Sequence, residues 1–287
     1  TAYCDRAIFT ENIWQLERAR NGTDPARISA LIGDCTQRGM SSDSGGAKYN
    51  FIEPNMLGMI NVIESLNIIR ELVYNEGKLG IPEFQKALSD NYEGHTELRD
   101  RIINRVEHFG NHTEKTDLIA KRVSDMVLEI FGRYTTFRGA KVIPGAFSYR
   151  DHASNGAQTM ASPDGRLAGT PLSSGSDPVQ GYDRMGPTMS LCASSAWQPS
   201  RFLGGTALNI KLNKNTPTGA IIALIRGFLK TEDAQIQFNI VSTEELLDAQ
   251  VHPENHGDLI VRIGGYSDYF TRIPKSLQDD VISRSLG

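Results

Sequence analysis

Cysteine is scarce in this chain: Cys4, Cys35 and Cys192 are all there are in 287 residues. They are odd in number and far apart, which excludes a disulfide framework and a Cys-x-x-Cys metal site and fits a reducing cytoplasm. A surplus of positive charge is missing too. Lys and Arg total 30 against 34 Asp and Glu, a net charge of −4, so no basic field invites nucleic acid or anionic lipid. No apolar run approaches a membrane span, and the opening Thr-Ala-Tyr-Cys-Asp-Arg lacks the shape of a signal peptide. No Gly-x-Gly-x-x-Gly follows a strand, no phosphate-binding P-loop is present, and no internal repeat is visible. What remains is an ordinary globular composition, 39% hydrophobic and 22% charged, in a chain long enough for one large domain or two ordinary ones. Its first residue, Thr1, fits a trimmed natural start and a fragment of a longer protein equally.

The first half reads as helical. Residues 5–32 carry helical patterning, interrupted by Asn21-Gly22-Thr23-Asp24-Pro25; Pro25 suits the first turn of a second short helix ending near Gly39. Gly45 to Phe51 is expected to form a glycine loop running into a short strand. Ile60, Ile63, Leu66, Ile69 and Val73 recur at helical spacing between Met56 and Tyr74. Helices are predicted at 82–91, 96–109 and 114–133, the last with Leu118, Val123, Val127 and Ile130 on its apolar side. Val142-Ile143 suggests a short strand. Residues 150–190, rich in Gly, Ser, Pro and Asp, read as a long functional stretch without regular structure, with Ser162-Pro163-Asp164-Gly165 as a turn.

Strands and helices then alternate. Strands are predicted at 206–212, 235–241 and 259–263, and helices at 217–229 and 274–284. Ser242-Thr243-Glu244-Glu245 is a capping box opening another helix. The alternation argues for an α/β protein with parallel strands. The strand at 259–263 feeds Arg262-Ile263-Gly264-Gly265-Tyr266. Alone, a Gly-Gly-Tyr after a strand is ordinarily just a turn.

Its surroundings change that reading. They are Gln237-Phe238-Asn239, Asp248-Ala249-Gln250, His252-Pro253-Glu254-Asn255 and Gln278-Asp279-Asp280-Val281-Ile282. With Gly45-Gly46-Ala47-Lys48-Tyr49-Asn50, Ser162 to Arg166 and Gly186-Pro187-Thr188, this succession resembles the C-terminal portion of the glycyl radical enzymes, which are similar to pyruvate formate-lyase. The resemblance covers nearly the whole chain and leans to the dehydratase and lyase branch. It implies an α/β fold: the second half of a ten-stranded α/β barrel with a C-terminal glycyl radical loop. Residues 1–200 would be the barrel portion and 201–287 the glycine radical domain.

The resemblance also implies a chemistry. The radical would sit on Gly265, because a Cα radical needs a planar centre that a Cβ would crowd, with Arg262, Gly264, Tyr266 and Ser267 supporting the loop. No cofactor is bound; an S-adenosylmethionine-dependent, iron–sulfur activase installs the radical. Family members pass it to a cysteine far upstream, and none of the three cysteines here has that context; buried and structural is the expectation for each. The implied partners are therefore a cysteine-bearing N-terminal half or large subunit, the activase and a small-molecule substrate, with the assembled enzyme as a homodimer under anaerobic conditions. The alternative is a non-catalytic subunit that replaces an oxygen-damaged radical domain.

Other constellations are weaker. His108 and His112 are separated by Gly110 and Asn111 and read as a solvated loop rather than a metal site. His252 and His256 flank a helix end, where cations are favoured. Substrate contacts are expected where loops follow strands: Tyr149 and His152, with neighbouring Asp151, and Asn209 with Lys211.

Overall fold

A computed structural model describes residues 2–22, 26–231, 233–263 and 266–285. Pro25, Gly264 and Gly265 lie outside the described residues. Two compact units are present, Thr1–Pro54 with Asp125–Gly145, and Asn55–Ser124 with Ala146–Gly287.

The first unit opens with α1 (Ala2–Asn21), α2 (Ala26–Leu31) and α3 (Cys35–Arg38). The helix expected to run to Gly39 is thus two helices, ended by Gly39 in the left-handed region at φ 61°, which glycine adopts without strain. The strand expected after the glycine loop is a lone parallel bridge, Ile52 to Val142. Cys35 is buried but Cys4 is partly exposed, and so is Cys192 in the other unit; uniform burial of the cysteines was the wrong expectation.

The second unit starts with α4 (Met59–Ile68), which passes into a π-helical turn, Ile69–Asn75. Then come α5 (Ile81–Ser89), α6 (Thr96–Arg105) and α7 (Glu114–Phe131), whose sequence runs on into the range of the first unit. Pro82 sits in the first turn of α5, where its missing N–H costs nothing. Ile68, Leu72, Phe84, Ala87 and Ile102 close one apolar cluster among these helices. On α7, Val123 of the predicted apolar side is buried with Ile119 and Ala120, and Val127 and Ile130 are half-buried, while Leu118 is exposed.

Beyond β1 (Gly145–Ala146), the stretch expected to be irregular contains α8 (Asp151–Gly156) and leads into α9 (Pro187–Ala196). Pro187 begins α9 after Gly186 at φ 83°. The buried Ser190, Ala193 and Ser194 show why it forms despite modest propensity: small side chains let it pack closely. The rest of the segment is irregular but held. Ser162-Pro-Asp-Gly makes its turn through Gly165 N–H to Ser162 C=O at 3.0 Å, and the Gly165 φ of +85° calls for glycine. The Arg166 guanidinium donates to Ser162 Oγ (3.1 Å) and to the carbonyls of Leu167 (3.1 Å), Thr170 (2.6 Å), Thr159 (3.2 Å) and Met160. Buried Asp164 accepts from Asn61 Nδ2 at 2.7 Å and Ser162 Oγ at 2.5 Å, and Tyr182 Oη donates to its carbonyl.

His108 is not in a solvated loop. It is buried, faces Glu64 Oε2 through Nδ1 at 3.1 Å, and stacks on Tyr182 at 3.9 Å. Burial pushes the Glu64 carboxyl up, opposed by its bonds to His108 and the Phe109 N–H. His112 instead pairs with Asp117 at 2.6 Å near the surface.

The last third supplies β2 (Gly205–Thr206), β3 (Leu208–Lys211), α10 (Thr218–Phe228), β4 (Ile236–Asn239), α11 (Thr243–Val251), β5 (Ile260–Arg262), β6 (Ser267–Tyr269) and α12 (Lys275–Ser285). β3 and β4 are parallel, joined through α10; β5 and β6 are antiparallel. The chain is therefore of mixed α/β character, as expected. No helix among the described residues is long and apolar enough to cross a membrane.

Candidate functional site

The period of two sorts the residues of the parallel pair. Leu208, Ile210 and Leu212 are buried with Leu191, Leu224 and Phe228 of α9 and α10, and Ile236 and Phe238 pack against the same cluster. Alternation then turns Asn209, Lys211, Gln237 and Asn239 to the opposite face, and the register sets Asn209 beside Gln237 and Lys211 beside Asn239. One face of this sheet is apolar and covered by helices; the other is polar. Asp177 accepts from the Asn209 N–H at 2.6 Å and from Asn209 Nδ2 at 2.8 Å. Burial pushes the Lys211 ammonium down and the Asp183 carboxyl up, each opposed by the other's charge.

The hairpin β5–β6 is attached to this strand pair. Arg262 N–H donates to Asn239 Oδ1 at 3.1 Å, Arg262 Nε donates to Gln237 Oε1, and Arg262 Nη1 reaches Ser267 Oγ at 3.3 Å. A single guanidinium thus spans both strands of the hairpin and β4. The register pairs Ile260 with Tyr269, Val261 with Asp268 and Arg262 with Ser267, and Ile263 N–H donates to Tyr266 C=O at 3.0 Å. Between Ile263 and Tyr266 the sequence holds only Gly264 and Gly265. Val261 and Ile263 are buried in a cluster with Leu246, Ala249, Phe270, Ile273, Leu277, Val281 and Ile282, against which Tyr266 packs. Ser242 Oγ caps α11 by accepting from Glu245 N–H at 3.2 Å, as its motif predicts, while the Glu245 carboxylate pairs with Lys214.

Two of the expected substrate contacts share a cavity of about 270 Å³, lined by Tyr149 and Asn209 with Phe147, Ser148, Ser174 and Thr206 among others. Tyr149 is half-exposed, at φ 45°, a conformation uncommon for a bulky side chain. Asn209 Oδ1 is buried without a hydrogen-bond partner. His152 does not line this cavity. It is wholly buried, with Nδ1 3.2 Å from Ser148 Oγ and Nε2 2.9 Å from Asp280 Oδ2 on α12. Gln180 Nε2 donates to the other Asp280 oxygen at 3.3 Å. Gln180 and Ser148 carried no functional signal in the sequence, whereas Asp280, Gln237 and Asn239 stand in the segments that carry the family resemblance.

The pattern of known proteins fits this geometry. A model of the pyruvate formate lyase-like family matches residues 3–156, and a glycine radical model matches residues 172–271, spanning the hairpin. The chain belongs to the glycyl radical enzyme family. Among relatives, it is 36% identical over 271 residues to the "Probable dehydratase YbiW" of Escherichia coli K12, covering 90% of this chain and 34% of that one. Its structure superposes on hydroxyproline dehydratase from Clostridioides difficile with a TM-score of 0.93 at 28% identity, over 98% of this chain and 36% of the other. A Roseburia inulinivorans structure described for 1,2-propanediol dehydration gives a TM-score of 0.85 at 36% identity, over 89% and 34% of the two chains. Relatives of this chain include dehydratases and decarboxylases. It spans about a third of the length of the curated relatives it matches.

Proposed function

We propose that this chain is the radical-bearing C-terminal part of a glycyl radical lyase of the dehydratase type, storing its radical on Gly265. The observation that carries the reading is the hairpin. Its paired residues flank Gly264-Gly265 inside a matched glycine radical segment, and Arg262 binds both of its strands to β4. Arg262, Gly264, Tyr266 and Ser267 support that loop. Residues 1–200 form the barrel portion and 201–287 the radical domain, together the second half of a ten-stranded barrel. An activase using S-adenosylmethionine and an iron–sulfur cluster removes one hydrogen atom from the Gly265 Cα. The glycyl radical then takes a hydrogen atom from a cysteine thiol, and the thiyl radical takes one from a substrate carbon. After water is lost, the thiol returns its hydrogen atom to the product radical.

That cysteine lies on a separate segment or subunit. The polar face of β3 and β4 would look toward that part, and α10 leaves Ile222, Ile225 and Leu229 exposed while burying Leu224 and Phe228. A helix apolar on more than one side is ordinarily covered on more than one side. The substrate is a small hydroxylated molecule, as in the relatives named for hydroxyproline and 1,2-propanediol, and Tyr149 and Asn209 contact it. The setting is cytoplasmic and anaerobic. Anaerobic activation with a competent activase should give a paramagnetic resonance doublet from one α-hydrogen, absent in Gly265→Ala, and exposure to air should cut the chain at Gly265. An activated chain with no doublet, or one left intact in air, overturns the assignment.

A further inference from the structure

Glu64 on α4 is wholly enclosed, and His108, in the connection between α6 and α7, is only 3% exposed. His108 Nε2 lies 3.1 Å from the Ile103 carbonyl oxygen and Nδ1 lies 3.1 Å from Glu64 Oε2. Glu64 Oε1 accepts from the Phe109 N–H at 2.8 Å. A carbonyl oxygen only accepts, so Nε2 carries a hydrogen. Nδ1 is then left facing a carboxyl oxygen. A neutral imidazole and an ionised carboxylate would set two lone pairs against each other there. One further proton resolves the conflict, on Nδ1 as an imidazolium or on Oε2 as a carboxylic acid. Either placement leaves the pair without net charge, the form that burial favours. Moving the Nε2 hydrogen to Nδ1 instead would turn a lone pair on the Ile103 carbonyl and keep a buried charge.

The surrounding groups do not replace that proton. Asp164 adds a second carboxylate to the environment of Glu64. The guanidinium groups are bonded elsewhere: Arg99 Nε to the Gly165 carbonyl at 2.8 Å, Arg184 Nη2 to the Ile103 carbonyl at 3.0 Å, and Arg166 within its own segment. Burial first, and the Asp164 charge second, push the Tyr92 and Tyr182 hydroxyls up, so both stay neutral. His112 is paired with Asp117. Three elements converge on the pair. Asn67 of α4 donates to the Glu107 carbonyl at 2.7 Å, and Asn111 Nδ2 donates to the carbonyls of His108 and Tyr182 at 3.1 and 2.7 Å. The Tyr182 ring lies on the His108 imidazole.

We infer that Glu64 and His108 form a buried proton site, and that the bound proton locks the irregular segment around Tyr182 onto α4 and the α6–α7 connection. Its loss leaves a lone-pair conflict at one end of the imidazole or the other, so the ring shifts and Tyr182 loses the face it stacks on. The same segment carries Asp177, bonded to Asn209, and Gln180, bonded to Asp280, so the lock braces the polar face of β3 and α12. This inference does not rest on the radical reading of Gly265. In the unfolded chain the Glu64 carboxyl releases its proton near its ordinary 4.5, and an imidazole does so at about 6.5. Above about 6.5 only the closed pair keeps the proton. Its contribution to stability is therefore lost as pH rises, about tenfold in the opening equilibrium per pH unit, until the closed pair releases it. The two groups are coupled, so that release belongs to the pair.

Hydrogen exchange followed by mass spectrometry on the whole chain, corrected for intrinsic rates, tests this from about pH 6.5 upward. Peptides over 103–109 and 178–185 should lose protection about tenfold per pH unit, while peptides over 243–251 keep theirs. In Glu64→Gln the amide oxygen still accepts from Phe109, and the amide nitrogen donates to Nδ1 with no added proton. The variant should lose the pH dependence and become the better protected of the two at high pH. A purely packing role would instead weaken the variant equally at every pH. The native chain also reports the proton directly, through the nitrogen-15 shifts of His108 and the infrared band of a buried carboxylic acid at about pH 7.5. One or the other signature is expected. A neutral imidazole with no buried carboxylic acid overturns the site. Flat protection in the native chain, or equal pH slopes in the two proteins, overturns the lock.

Discussion

Residues 157–186 contain no helix or strand, while the β5–β6 hairpin has two regular strands, Ile260–Arg262 and Ser267–Tyr269. Regularity would suggest that the irregular segment is loose, yet its bonding says the reverse. The irregular segment is organised from within by Arg166, whose guanidinium meets one hydroxyl and four backbone carbonyls. Asp164 and Tyr182 tie it to α4 and to itself. The hairpin has a good apolar underside, and Arg262 ties it to β4, with Ser267 exposed beside it. Repeating backbone dihedrals and resistance to opening are separate properties. The second follows from how many buried groups lose their partners when a segment moves.

This contrast can be broken by substitution. Arg166→Met should be the most damaging, costing on the order of 3 kcal/mol or more, because several acceptors lose a charged donor together; denaturant unfolding measures it, and a loss below about 1 kcal/mol would show that the irregular segment is not held as described. Arg262→Met should cost about 1–2 kcal/mol and should show first as faster amide exchange at Ile263 and in β6, with the unfolding midpoint little changed. Ser242→Ala removes the cap of the helix that leads into the hairpin module and should cost about 1 kcal/mol; a change confined to that module would sharpen the distinction. The smallest effect concerns pH. Burial raises the folded-state pKa of Asp183 above its ordinary 3.8, so its contribution to stability is fully present below that value and is lost as pH rises through the folded one. Asp183→Asn should therefore flatten the pH dependence of the unfolding free energy above about pH 4 by under about 1 kcal/mol, leaving the hairpin unaffected.

Much of the last third was legible because two periods overlap there. Alternation of apolar with polar residues gives β3 and β4 their two faces, and the Ser242 capping box marks the start of α11 in the same register as the observed bond. The flanks of the glycine pair carried the family resemblance. Tertiary context hid the rest. α9 mixes good helix formers, Ala, Met and Leu, with Ser, Thr and Cys, which favour caps and turns as readily as helix interiors; only Gly186-Pro187 signalled its start. His108 sits near two residues that break helices, but its partner Glu64 is 44 positions away. His152 likewise depends on Asp280, 128 residues later. A buried polar residue reads like a surface one until its partner is known, and no local window contains that partner. The π-helical turn after α4 had no signal beyond a helical period that continued through it.

The pairing of Ile263 with Tyr266 has one further consequence. Side chains on a strand change sides with every step, so inserting or deleting one residue between these two would turn a whole strand over. Either Arg262 would swing toward the apolar underside and release Gln237, or Ser267 and Tyr269 would exchange faces with Asp268 and Phe270. Natural or engineered variation in this connection should therefore change the identity of its two residues far more readily than their number, and a homologous chain with an odd-length insertion there would have to rebuild the clasp from other side chains.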